Sequence, residues 1–317
     1  AGNSGPPHIS VPDREHPGAL GMNPVLSPPQ LFRLSTSEVD ELLDRLEQRV
    51  PVRPAVVEVP DGTADEAIVF GDTHGDWRST EMVVRKYRAG NRCIIGLGDY
   101  VDRSPDDCGP GSVGNALYLL SLAAEAPERV YLIQGNHETV RRIPALPHNL
   151  PVEIDELWGP DSTRYDRLLG LLERGPLAVT TPNGAYLAHA GFPRGKLPTA
   201  WKEAFASKDP ERLAEITWSE CDVSRIRRGA ALPWGGRELD QFLAVAGLRV
   251  FLRGHDPDLN GRVVYGGRCL TLNTSRIYER YGGVTVACLP LRTPLVSLAS
   301  VVVDHLSTEG KSYPDPD

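Results

Sequence analysis

Five short polar turns in the chain carry residue types that could do chemistry together. One reads Gly71, Asp72, Thr73, His74, Gly75; a second Gly98, Asp99, Tyr100, Val101, Asp102, Arg103; a third Gly135, Asn136, His137, Glu138. His189, Ala190 and Gly191 form the fourth, and Gly254 and His255, after Arg253, form the fifth. Pooled, they offer two carboxylates (Asp72, Asp99), one amide (Asn136) and three imidazoles (His74, His189, His255) as ligands, with His137, Asp102 and Arg103 beside them. The set is oxygen and imidazole nitrogen without thiolate, which suits manganese, iron or zinc in a catalytic site. A carboxylate can bridge two ions, and two ions about 3.5–4 Å apart are a common device for phosphoryl displacement. Such a pair lowers the pKa of a shared water and neutralises charge developing on the phosphate. A guanidinium matches phosphate oxygens through paired hydrogen bonds, and an imidazolium can protonate a leaving alkoxide.

These turns need elements that bring them together. Each closes a short apolar run, at 67–70, 93–97, 130–133, 185–188 and 250–252, which reads as a strand. Helices are predicted between them near 77–88, 113–125, 163–174 and 237–246. Strand, turn and helix in alternation give an α/β architecture, and loops at the carboxyl ends of strands in open α/β sheets converge on a ligand crevice. Upstream, Ser35 and Glu38 have capping-box spacing, and Val39, Leu42, Leu43, Leu46 and Val50 repeat at helical period. Downstream, the runs 263–265, 269–272, 284–289 and 295–303, separated by Gly or Pro, predict antiparallel hairpins. One domain is expected over 35–307, preceded by an extended or poorly ordered arm over 1–34 and followed by a tail over 308–317.

Composition narrows the function classes. A net charge of -8 over 317 residues argues against a chain built to coat nucleic acid or an anionic membrane. A small anionic substrate stays open, because local cations or metals can invert the field at one site. No apolar run reaches the roughly 18 residues of a membrane span, and residues 1–29 lack the pattern of a signal peptide. The five cysteines are odd in number, far apart and without a CxxC pair, as in a cytoplasmic protein with reduced thiols. The expectations are a cytoplasmic enzyme with no nucleic-acid or membrane partner; oligomeric state is not legible.

At the turns quoted above, the chain resembles the phosphoprotein phosphatase family of metallophosphoesterases, the serine/threonine phosphatase type, and a microbial member is expected. GDTHG, GDYVDR and GNHE occur in order. Residues 126–130 before the third block, Pro176, Leu177 and Ala178 before the His189 strand, Trp218, Ser219 and Glu220, and Arg228, Gly229 and Ala230 followed by Trp234 and Gly235 are similar in context. The similarity runs from about 67 to about 276. It implies a four-layer α/β/β/α calcineurin-like sandwich. It implies that Asp72, His74 and His255 hold one metal, that Asn136 and His189 hold a second, and that Asp99 bridges them. His137 would be the general acid, oriented by Asp102, and Arg103 and Arg228 would hold the phosphate. Metal-bound hydroxide would attack in line, with no phosphoenzyme. Two divalent ions are implied, manganese first in vitro and iron or zinc as alternatives. Substrates would be phosphorylated proteins or peptides at serine and threonine, with phosphotyrosine as an extension, and inorganic phosphate would be the product.

The chain also departs from the family pattern. Ser104 stands where glycine is usual, Ala190 replaces one of two glycines, and Glu220 replaces aspartate. Residues 106–112 read as a short insertion near the site. Residues 272–276 stand in place of the usual Ser-Ala-Pro-Asn-Tyr-Cys block that shapes the substrate rim, which leaves substrate choice open. A hydrolase of nucleotides such as dinucleoside polyphosphates shares the early blocks and is the second reading. A catalytically inactive phosphate-binding protein is the third, against which every matched ligand position is filled. Arg225 and Arg227 could take the place of Arg228, and Asp102 could serve as a helix N-cap near Ser104. His8, His16, His148 and His305 are expected on the surface, and Trp218 and Trp234 in packing.

Overall fold

The computed structural model describes residues 25–195, 200–207 and 209–306. Most of the expected arm, and the whole expected tail, lie outside these residues. The strands are β1 (Val56–Glu58), β2 (Glu66–Phe70), β3 (Arg92–Gly96), β4 (Val130–Leu132), β5 (Ala178–Thr180), β6 (Ala185–Ala188), β7 (Val250–Arg253), β8 (Val263–Val264), β9 (Cys269–Thr271), β10 (Val284–Pro290) and β11 (Val302–Leu306). The α-helices are α1 (Pro28–Leu31), α2 (Thr36–Arg49), α3 (Trp77–Tyr87), α4 (Gly111–Glu125), α5 (Leu150–Trp158), α6 (Ser162–Leu172), α7 (Pro210–Thr217) and α8 (Gly236–Ala246).

Buried apolar residues on both faces of a strand call for cover on both sides, and the chain supplies it in four layers. One sheet has the order β1-β5-β6-β7-β9-β8, the other β11-β10-β2-β3-β4. Alternate residues of each, such as Val69, Ile95 and Ala287 in one and Leu187, Leu252 and Leu270 in the other, pack together between the sheets. The outward residues Phe70 and Ile94 meet helices α2, α4, α5 and α6, while Ile68 and Val286 meet α3. On the far side Tyr186, Phe251 and Cys269 meet α7 and α8. This is the expected α/β/β/α sandwich.

Helix α4 is buried on nearly every side, as its all-round apolar sequence requires. A side chain at Gly114 would meet the Phe32 ring at 2.6 Å, so glycine there admits the segment carrying α1. Residues 25–34 are therefore not an extended arm: Leu31 is 1% exposed, and Trp158 Nε1 donates to the Leu34 carbonyl at 2.8 Å. The capping box at Ser35 forms, with the Glu38 carboxylate accepting from the Ser35 N–H at 2.8 Å. The downstream hairpins are half right. Strands β8 and β9 pair antiparallel, as do β10 and β11. Strand β9, however, also lies parallel to β7, and β10 crosses to the other sheet to pair antiparallel with β2.

Candidate active site

The five turns meet because each leaves the carboxyl end of a strand: Asp72 after β2, Asp99 after β3, Asn136 and His137 after β4, His189 after β6, His255 after β7. Positive φ marks three of them, the first, second and fifth. Outside glycine it occurs at His74 (44°), Asp99 (55°), Asp102 (66°), Arg103 (56°), His255 (69°) and Tyr265 (52°) among the described residues, so all but one belong to the turns. Such backbone costs on the order of 1–3 kcal/mol and persists where its surroundings over-determine it. Buried hydrogen bonds do so here. The Glu138 carboxylate accepts from the N–H groups of Asp99 (2.7 Å), Tyr100 (2.8 Å) and Gly135 (2.8 Å), locking the second turn to the third. The His255 N–H donates to Asp72 Oδ1 at 2.8 Å and the His137 N–H to Asp99 Oδ1 at 3.0 Å. Behind the first turn lies the loop 272–276, whose Leu272 carbonyl sits where any side chain on Gly71 would point.

Backbone carbonyls orient two of the rings. His74 donates from Nδ1 to the Val101 carbonyl and His189 from Nδ1 to the Leu97 carbonyl, each at 2.9 Å. With Nδ1 engaged on the backbone, Nε2 is the ring atom of each that is turned toward the other ligand-type side chains. Both Nε2 atoms face Asp99, at 3.5 Å from Oδ2 for His74 and 3.4 Å from Oδ1 for His189. His255 stands elsewhere than the resemblance implied. Its Nδ1 is 3.1 Å from Asn136 Oδ1 and 3.1 Å from His189 Nε2, which in turn is 2.9 Å from Asn136 Oδ1. Its ring lies with Asn136 and His189, because β6 and β7 pair in parallel and set their turns side by side.

The donor set fits a pair of ions. Ligand atoms of His74, Asp99 and His137 lie within 4.8 Å of one another, and so do those of Asp99, His189 and His255. Asp99 belongs to both groups, the position a bridging carboxylate needs. Burial pushes His74 down to about 3 and His255 well below the ordinary imidazole range, the latter helped by Arg228; neutral rings keep a lone pair for a metal. Burial also pushes Asp99 up, but His189, His137 and His74 together outweigh it and hold the carboxyl well below its usual range.

Within the first of these groups His137 Nδ1 lies 2.5 Å from Asp102 Oδ2, and its Nε2 is buried with no hydrogen-bond partner among the described residues. Burial pushes its pKa down, and the charges of Asp99 and Asp102 reverse that and raise it. Arg103 reaches in with one nitrogen 3.5 Å from His74 Nε2 and another donating to the Leu146 carbonyl at 3.2 Å. Of the three clustered arginines, Arg228 faces the site. It lies 3.2 Å from His255 Nε2, donates to the His255 carbonyl at 3.1 Å and pairs with Glu220 at 3.3 Å. Arg225 is bound to Asp258, and Arg227 donates to the Ser224 and Asp222 carbonyls.

Asp102 caps a helix, though not the one expected. Its Oδ1 accepts from the Asn149 N–H (2.6 Å) and the Leu150 N–H (3.1 Å) at the start of α5. His148, read from sequence as a surface residue, lies mostly inside with its Nδ1 3.1 Å from Asp102 Oδ2. Nothing local in the sequence marks that contact, since Asp102 and His148 are 46 residues apart.

The profile of the calcineurin-like phosphoesterase family matches residues 67–259. A probable serine/threonine-protein phosphatase of Encephalitozoon cuniculi is 28% identical over 230 residues, covering 68% of this chain and 48% of that one. The serine/threonine-protein phosphatase 4 catalytic subunit of Saccharomyces cerevisiae is 27% identical over 234 residues, covering 70% of this chain and 73% of that one. The chain spans about half the length of several curated relatives it matches. A solved Saccharomyces cerevisiae serine/threonine phosphatase, described as similar to human phosphatase PP5, shares the fold with a TM-score of 0.68 at 21% identity, covering 88% of this chain and 92% of that one.

Proposed function

Because the chain belongs to the calcineurin-like phosphoesterase family, we propose that it hydrolyses phosphate monoesters and, more finely, that it is a phosphoprotein phosphatase acting on phosphoserine and phosphothreonine. The observation that carries this reading is the buried Nε2 of His137, without a hydrogen-bond partner among the described residues, in one of two clusters of ligand-type groups that share Asp99. Asp72 and His74 would hold one divalent ion, Asn136, His189 and His255 another, and Asp99 both, with manganese the ion to supply in vitro and iron or zinc the alternatives. Two such ions supply an acidified water and neutralise charge on a phosphoryl group. Arg103 and Arg228, standing at the two ligand groups, hold phosphate oxygens by charge-assisted hydrogen bonds. His137, anchored through Nδ1 on Asp102, gives its Nε2 proton to the leaving alkoxide. The names of the relatives support a protein or peptide substrate, and residues 35–307 would form the catalytic unit.

Metal analysis alongside hydrolysis of an aryl phosphate and a phosphothreonine peptide, with and without manganese, tests this. About two ions per chain and turnover of both esters are expected. Asp99→Ala should lose at least one ion. A variant that kept both would sink the shared bridge, and a wild-type chain that hydrolysed neither ester with any of the three metals would sink the reading.

A further inference from the structure

Asp102 is buried and accepts four hydrogen bonds, one of which comes from His137. Two more come from the backbone that opens α5, the Asn149 and Leu150 N–H groups on Oδ1. The fourth comes from a second imidazole: His148 Nδ1 lies 3.1 Å from the same Oδ2 that holds His137 at 2.5 Å. The far side of the His148 ring is held as well. Its Nε2 is 2.9 Å from the Tyr165 hydroxyl on α6, and the two rings meet edge-on at 5.6 Å. A carboxylate can only accept, so the Nδ1 of His148 carries the proton, and its Nε2 then accepts from the Tyr165 hydroxyl. The result is a line from Tyr165 through His148 and Asp102 to His137, ending at an Nε2 with no partner among the described residues.

We propose that His148 is a positioning residue for His137. The inference rests on the reading of His137 as the general acid. A carboxylate held by one partner can turn about its terminal bond, and the imidazole it anchors turns with it. With a second donor on Oδ2 and two on Oδ1, the Asp102 plane is fixed, and so is the direction in which His137 presents Nε2. Groups of this kind, which touch no substrate, set the geometry of those that do.

The test compares His148→Ala, His148→Asn and Tyr165→Phe on two esters. An alkyl phosphate such as a phosphothreonine peptide leaves as an alkoxide and needs the proton, whereas an aryl phosphate with an acidic phenol needs it little. His148→Ala is expected to lower kcat on the peptide about tenfold and on the aryl ester less than about twofold, with metal content unchanged. His148→Asn, whose amide can donate from the place of Nδ1, should restore most of the loss, and Tyr165→Phe should show a smaller loss of the same kind. Equal losses on both esters would overturn the proposal and leave His148 an anchor for α5. A second readout does not need turnover: the low-field proton resonance of the His137 Nδ1–H should move in His148→Ala and return in His148→Asn. An unmoved resonance overturns the proposal even if the wild-type chain hydrolyses neither ester, the outcome that would separately refute the functional reading.

Discussion

Arg225 and Arg228 lie three residues apart and face different tasks. Arg225 is exposed and pairs with Asp258, an ion pair that water screens. Arg228 is mostly enclosed and turned onto His255 and Glu220. Arg228→Ala should therefore weaken inhibition by inorganic phosphate about tenfold or more, as loss of a charge-assisted hydrogen bond implies, while Arg225→Ala should leave it near the wild-type value. A phosphate titration of turnover separates the two, and equal effects would count against the assignment. At this scale the sequence was most informative where residue type and turn coincided. Asp72, Asp99 and His189 could be placed because chemistry needs those types after strands. His255 can be placed at the site by its type and turn, but which side chains it neighbours depends on which strands pair. The contact of His148 is not legible because its partner Asp102 is distant in the chain, and a lone imidazole gives no local sign of a buried contact.

Among the elements, the loop 272–276 is bolted to the rest by Arg276. Its guanidinium pairs with buried Asp76 at 2.9 Å and with Asp107 at 2.7 Å, so the segment read as an insertion is tied to the segment that replaces the family's rim. The hydrogen bond from Arg276 holds the Asp107 carboxyl below its ordinary pKa, more than burial raises it. A carboxyl lowered by folding contributes stability above its unfolded pKa of about 4 and loses it as pH falls through the folded value. Denaturation of Asp107→Asn and wild-type chains should differ by less than about 1 kcal/mol at neutral pH, with the gap closing below about pH 4. A gap that widened with acid would contradict the sign. The elements legible in sequence were those with several apolar residues in period. Strands β1 and β5, of three residues each, show no period to read. Strand β10 was found, but its partner was not, because an apolar run says that it is covered without saying by which sheet.

Across the whole molecule, the proposed ligands come from both sheets: Asp72, Asp99 and Asn136 follow strands of one, His189 and His255 strands of the other. The family match stops at residue 259, after the last of them, yet the fold does not stop there, since β10 still has to close the sheet along β2. A chain ended after residue 259 keeps every proposed ligand and leaves β2 as a bare edge, which invites pairing with other chains. It should be recovered mainly as aggregate, and a chain ended after residue 306 should be recovered as soluble protein; the measurement is the soluble fraction after expression. A soluble 259-residue chain with a cooperative melt would show that β10 is dispensable. The same pairing bears on how the protein is made. A ribosome extends the chain from its N-terminus, and at about 5–20 residues per second the wait between β2 and β10 is on the order of 10 to 40 seconds. Until β10 is made, the strand that leads into Asp72 and His74 has only β3 to pair with and an open edge on its other side. The interval in which the nascent chain is most exposed to a neighbour's edge, or most in need of a chaperone's cover, is thus set by the position of one late strand.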